Sequence, residues 1–240
     1  MIRMRADLLL VARGLAQSRA KARAAIEAGG VTANGARVEK PADQIAEDAA
    51  LELIPPHPWV SRGGVKLAAA LEAFGIDPAG RICLDVGAST GGFTHVLLSR
   101  GATKVYAVDV GQGQLHASLR DDLRVVNLER TDARTLTREL APEAPTLIVC
   151  DASFIGAAKV LATPLSLAAD QADLVTLIKP QFETGPGHGG LPHEEIARAA
   201  AQTAIDALNG SHGFRIVRVI DSPLRGGDGN LELLAHATKS

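Results

Sequence analysis

Residues 81 to 110 read RICLDVGASTGGFTHVLLSRGATKVYAVDV, and this stretch decides the fold. A short apolar run ends in Asp85 and Gly87. A glycine-rich turn follows, then a helical stretch, then a second apolar run ending in Asp109, 24 residues beyond Asp85. A strand, a tight turn and a helix in this order bring backbone close to a ligand at the turn, and an acid closing the next strand is placed to accept hydrogen bonds from ribose hydroxyls. The turn is neither G-x-x-x-x-G-K-[ST] nor G-x-G-x-x-G, the spacings that cradle nucleotide phosphates and dinucleotides.

Working outward, five more apolar runs follow: LRVVNL (123–128), TLIVCDAS (146–153), DLVTLIKP (173–180), FRIVRVI (214–220) and LELLAHA (231–237). Helical stretches separate most of them, which predicts an α/β fold: a mostly parallel seven-stranded sheet with helices on both faces. The segment DSPLRGGDGN between the last two runs is too short for a helical crossover, so the last strand is expected to be antiparallel. A helix is expected over Val65 to Phe74. Asp85, Asp109 and the antiparallel last strand favour S-adenosylmethionine as cofactor over NAD.

Three charged residues then fall at one sheet edge. Asp151 closes the fourth run and Lys179 the fifth, with Pro180 ending that strand. Glu232 lies near the start of the last strand, whose reversed direction returns its beginning to the same edge. Lys66, on the helix leading into the first strand, is expected to reach this edge from outside. Two lysines with two acids suit methyl transfer to a ribose 2′-hydroxyl. The oxygen must be aligned and relieved of its proton, and an ammonium near a second ammonium gives up its proton more readily.

The N-terminal part is different in kind. The net charge of −2 hides +5 in residues 1 to 40, where eight Lys/Arg face three acids, and −7 in the rest. Such a basic end suits a polyanion. Ser18 is placed to cap a helix carrying Ala22, Ala25 and Ile26 on its core face, and Asn34-Gly35 marks a two-residue hairpin turn. Residues 53 to 64, with three prolines and Gly63-Gly64, mark a boundary. The expected division is 1–54, a linker 55–64 and 65–240.

The pattern Arg5-x-Asp7-x-x-Leu10, Ser18-Arg19-x-x-Ala22, Ile26-x-x-Gly29 and Val31-x-x-Asn34-Gly35 resembles the S4 RNA-binding domain. That resemblance implies an RNA-contacting surface of Arg5, Arg19, Lys21, Arg23 and Arg37. The segments SRGGVKL, LDVGASTGGF, IVCDASFI, LIKPQFE and GGDGNLE, and with them almost the whole chain, resemble the TlyA family of ribosomal RNA 2′-O-methyltransferases. This family is also labelled hemolysin A and has an FtsJ-like catalytic domain. It implies a Rossmann-like S-adenosylmethionine-dependent fold and a Lys66, Asp151, Lys179 and Glu232 catalytic tetrad. The cofactor turn would be Gly87, Ala88, Ser89 and Gly91, with Asp109 at the ribose and Asp132 near the adenine; Phe93 and Phe182 are candidates for stacking. Cytidine in ribosomal RNA would be the substrate, with ribosomal subunits as partners. The chain departs from the family at His57-Pro58-Trp59-Val60, where Arg-x-Trp-Val is common, and at Asp132, where Asn is frequent.

Other classes are weaker. No run approaches the ~18 apolar residues that span a bilayer, and LLLVA is too short for a signal peptide, so a cytoplasmic protein is expected. A membrane-active hemolysin would need an amphipathic basic helix or long alternating strands, and neither is visible. A non-catalytic RNA-binding assembly factor is the other alternative, and the intact tetrad speaks against it. Cys83 and Cys150 suggest buried thiols. The seven histidines lack ligand spacing, so no metal is expected. ETGPGHGG (183–190) is read as a lid or a long loop.

Overall fold

A computed structural model describes residues 3–27, 29–53, 57–183, 194–226 and 229–240. Two compact units divide the chain, Met1–Pro58 and Trp59–Ser240. The expected lid falls almost entirely outside the described residues, as do three residues at the boundary.

The first unit runs β1 (Arg3–Arg5), α1 (Ala6–Ala12), α2 (Arg19–Glu27), β2 (Val31–Ala33), β3 (Ala36–Arg37), β4 (Gln44–Ala46) and β5 (Leu51–Leu53). Strand β1 pairs antiparallel with β4, and β2 lies between β3 and β5. The Ser18 hydroxyl accepts from the Lys21 amide at 3.3 Å and starts α2. Ala22 and Ile26, one turn apart, meet Ala6, Leu10, Val31 and Val38 in a small core; Ala25 packs at its margin. Asn34 and Gly35 turn the β2–β3 hairpin with φ of 50° and 77°, the left-handed pair that a two-residue turn requires.

The second unit begins with α3 (Gly63–Phe74), two residues earlier than the predicted start at Val65. Then come β6 (Ile82–Val86), α4 (Gly92–Ser99), β7 (Lys104–Val108), α5 (Ala117–Arg120), β8 (Val125–Leu128), β9 (Leu147–Cys150), α6 (Ala157–Ser166) and β10 (Ala172–Ile178). The chain continues through α7 (Pro180–Glu183), α8 (Glu194–Leu208), β11 (Arg215–Asp221) and β12 (Leu233–Lys239). Seven strands form one sheet in the order β8-β7-β6-β9-β10-β12-β11. Only β12 runs against its neighbours β10 and β11, as the short connection before it demands.

Alternation along the strands sends side chains to two cores. Leu84, Val86, Tyr106, Ile148 and Leu174 face α6 and α8 on one side. Cys83, Val105, Leu147, Val149 and Val175 face α3 and α4 on the other. Both faces are covered, which is why β9 is apolar and buried at every residue. Leu67 and Leu71 of α3 are fully buried, each stabilising the packing by about 1.5–3 kcal/mol. The strand order reverses at β6, between β7 and β9, and ligands of such sheets bind beyond the carboxyl ends of the strands at that point.

Candidate functional site

Two adjoining clefts open at that edge. The smaller, about 300 Å³, is lined by Lys66, Asp151, Ser153 and Lys179 together with Arg62 and Phe93. The larger, about 660 Å³, is lined by Asp109, Gln114, Asp132, Phe154 and Ile155 among others. Gly87, Ser89, Asp151 and Ser153 border both, so the wall between them is made of the glycine-rich turn and the end of β9.

Sheet register explains why residues remote in sequence meet here. Ile178 is paired with Leu233 across the antiparallel β10–β12 ladder, so Lys179 and Glu232 leave the sheet side by side. Val86 is paired with Cys150, which sets Asp151 beside Gly87, and the Asp151 amide donates to the Val86 carbonyl at 3.0 Å. Pro180 occupies the first position of α7, where its missing N–H costs nothing.

The four tetrad residues stand as two ion pairs. Lys179 Nζ lies 2.6 Å from Asp151 Oδ1 and donates to Ser153 Oγ at 2.9 Å and to the Asp151 carbonyl at 3.3 Å. The first contact is a close ion pair. Lys66 Nζ donates to Glu232 Oε2, and both side chains are buried. Glu232 does not line the smaller cleft; Lys66 does, with Glu232 pairing it from behind. A buried ion pair left without one partner costs several kcal/mol, so each lysine is fixed by its own acid.

The glycine-rich turn is held by Asp109. Its Oδ2 accepts from the Ser89 amide at 2.8 Å and its Oδ1 from the Gly111 amide at 2.7 Å, clasping the turn to the end of β7. Ser89 takes φ +48°, an uncommon value for a residue with a side chain. Gly87, at φ +82°, approaches the chain after β9 so closely that an added Cβ would sit 3.0 Å from Ala152 Cα. Gly91 precedes α4, and Ala88 is buried beside the smaller cleft. Asp85 is fully buried beneath the turn, where Thr94 donates its hydroxyl to Oδ2 at 2.7 Å and Oδ1 has no partner. Burial pushes the Asp85 carboxyl up to about 7.

Asp132 lines the larger cleft, and the aromatic residues divide between core and surface. Asp132 caps a short 3-10 turn and pairs with Arg134 at 2.6 Å, which holds its carboxyl below the usual range. Phe93 is 3% exposed and packs in the core while touching the smaller cleft. The exposed ring is Phe154, at 89% exposure and φ +68°, tilted against Phe182 at 5.3 Å.

Sequence reasoning missed Ser153, Thr94, Phe154 and Glu129. Glu129 accepts from the Gln114 and Leu115 amides at 2.6 and 3.0 Å, and these backbone bonds take its carboxyl down to about 2. Gln114 in turn accepts from Ser89 Oγ at 3.1 Å. Ser153 and Glu129 lie one to three residues beyond strand ends, a position that marks ligand-side residues in such sheets.

In the first unit the basic residues lie at the surface. Arg5 and Arg19 both reach Asp7, Arg23 lies 3.9 Å from Glu27 and Arg37 3.7 Å from Glu39, and Lys21 bonds Gln17. Among the described residues no cluster of His, Cys, Asp or Glu could hold a metal, and no helix is long and apolar enough to cross a membrane.

The glycine-rich turn and its clasp by Asp109, at the border of the larger cleft, fit a nucleoside cofactor. Residues 59–239 match the FtsJ-like methyltransferase model and residues 4–50 the S4 domain model. The chain is an S-adenosylmethionine-dependent methyltransferase of the FtsJ-like class carrying an S4 domain. It is 49% identical to the 16S/23S rRNA (cytidine-2′-O)-methyltransferase TlyA of Mycobacterium tuberculosis, over 96% of this chain and 88% of that one. It is 41% identical to Hemolysin A of Brachyspira hyodysenteriae, over 97% and 99%. A solved structure from Streptococcus thermophilus, described as a hemolysin, superposes with a TM-score of 0.73 at 36% identity, covering 100% of this chain and 90% of that one. The chain belongs to the TlyA family.

Proposed function

We propose that the protein methylates the 2′-hydroxyl of a cytidine in ribosomal RNA, with the S4 unit docking on folded RNA and the reaction taking place in the cytoplasm. The observation that carries this reading is Lys179, held by Asp151 and Ser153 at the wall shared by the two clefts. When bound, S-adenosylmethionine supplies an electrophilic methyl group and leaves as a neutral thioether, so no acid is required on the leaving side. Gly87, Ala88, Ser89 and Gly91 line its turn, Asp109 meets the ribose, Asp132 the adenine end, and Asp85 and Phe93 support the turn from below. The smaller cleft, with two ammonium groups on its lining, receives the target nucleotide.

Lys179 aligns the 2′-oxygen, and its neutral amine form takes the hydroxyl proton as the new C–O bond forms, becoming the ammonium that pairs with Asp151. Asp151 and Ser153 fix the ammonium geometry, and Lys66, neutralised from behind by Glu232, completes the polar wall. Loss of a positioned base lowers rates by about 10²–10⁴-fold. Lys179→Ala is therefore expected to lose at least ~100-fold in transfer while cofactor and RNA affinities stay within about twofold. A variant that binds both and still methylates at the wild-type rate removes Lys179 from this role. Mass-spectrometric mapping of ribose methylation in ribosomal RNA, with and without the protein, identifies the modified residue.

A further inference from the structure

Asp7 is fully buried, yet it is charged and its partners are not buried. It lies in the first turn of α1, one turn before the core residue Leu10, so helix periodicity turns it inward. Arg5 addresses it as a fork, Nε to Oδ1 and Nη2 to Oδ2, both at 3.0 Å. Arg19, from the first turn of α2, donates Nε to Oδ2 at 2.8 Å. The two arginine side chains are 37% and 55% exposed. One carboxylate thus joins two guanidiniums from different elements, and among the described residues neither arginine has another side-chain partner. One negative charge against two positive ones leaves a net positive site with unused N–H groups on both forks. A guanidinium fork matches phosphate oxygens in pairs, which a flexible ammonium does not.

We propose that Asp7 is the positioning residue of a two-arginine phosphate site on the S4 unit, holding Arg5 and Arg19 in fixed orientation for the RNA backbone. The inference rests on the reading that this unit docks on RNA. A purely coulombic contact and a positioned one predict opposite signs for Asp7→Asn. Removing a negative charge from a phosphate-binding face strengthens attraction. Asparagine, however, turns an N–H donor toward donors and releases the forks, so the positioned site loses affinity.

The test uses the full chain and protein-free 23S ribosomal RNA. Asp7→Asn is expected to weaken RNA binding roughly tenfold, and to lower the slope of log affinity against log salt by about one to two phosphate equivalents. The maximal rate at saturating RNA and the affinity for S-adenosylmethionine should be unchanged, so the effect appears in KM rather than kcat. Equal or tighter binding by Asp7→Asn overturns the proposal. Should hydrogen exchange show that Asp7→Asn has lost the fold of the first unit, Arg5→Lys and Arg19→Lys decide. Both keep every charge and remove a fork: weakened binding in each supports the proposal, and wild-type affinity in both overturns it. If the double variant Arg5→Ala/Arg19→Ala binds RNA as the wild type does, the docking reading itself fails and takes this inference with it.

Discussion

Two buried aspartates show how the same residue acquires opposite behaviour from its neighbours. Asp7 is met by two guanidiniums, and the hydrogen bond from Arg5 leads in holding its carboxyl well below the ordinary range. Asp85 is met by one neutral hydroxyl, and burial dominates, raising it to about 7. The consequences for stability differ in sign. Asp7 contributes stability that is present above the unfolded carboxyl value of ~3.9 and is lost as pH falls through its depressed folded value. Asp85 contributes stability that is complete below the unfolded value and is lost as pH rises through about 7. Asp85→Asn, which keeps an acceptor for Thr94 but cannot ionise, is expected to raise the melting temperature by a few degrees at pH 8 and to change little at pH 4. Melts at both pH values check this, and an equal shift at the two would contradict it. Sequence alone announced Asp85 as a cofactor-side acid and Asp7 as part of a pattern. The difference in their charge states was not legible, because it depends on which side chains arrive from elsewhere in the fold.

At the scale of elements, the strands were readable because parallel strands covered on both faces are apolar runs, and the single antiparallel strand followed from a connection too short to cross over. Convergence of Lys179 with Glu232 followed from the same topology. Their partition into separate pairs, Lys66 with Glu232 and Lys179 with Asp151, did not, since it depends on side-chain reach and on α3 lying against the sheet. The clasp of the glycine-rich turn by Asp109 was half visible: the acid was placed, but the two backbone amides it engages were not. Gly87 gives this element its tolerance. Gly87→Ala combines a positive φ with a Cβ 3.0 Å from backbone that cannot swing aside. A destabilisation of about 1–3 kcal/mol is expected, with cofactor affinity reduced about tenfold or more in calorimetric titration. An alanine variant that binds S-adenosylmethionine normally would show that this turn moves freely.

The whole molecule divides its charge as it divides its chain. Residues 1 to 40 carry +5 within a protein of net −2, and the sequence displayed this without any structural help. What it did not display is that several of these cations are already paired with neighbouring acids, so the available charge is smaller than the count of basic residues. Neutralising several phosphates releases counterions, and affinity then falls steeply with salt. Between about 50 and 200 mM salt, KM for ribosomal RNA is expected to rise at least tenfold while the affinity for S-adenosylmethionine moves less than twofold. Steady-state kinetics and cofactor titration at the two salt concentrations measure both quantities. An RNA KM indifferent to salt would place recognition elsewhere than on this basic end.

The insertion of β12 between β10 and β11 bears on how the enzyme comes into being. During synthesis the other six strands of this sheet emerge first, yet the strand that must sit between two of them is still missing. Until it arrives, β10 has an open flank and the ammonium of Lys66 lacks its counter-charge, so a nascent chain has the glycine-rich turn but not the Lys66–Glu232 pair. Completion of the sheet and closure of the Lys66–Glu232 pair thus depend on the same late segment of the chain.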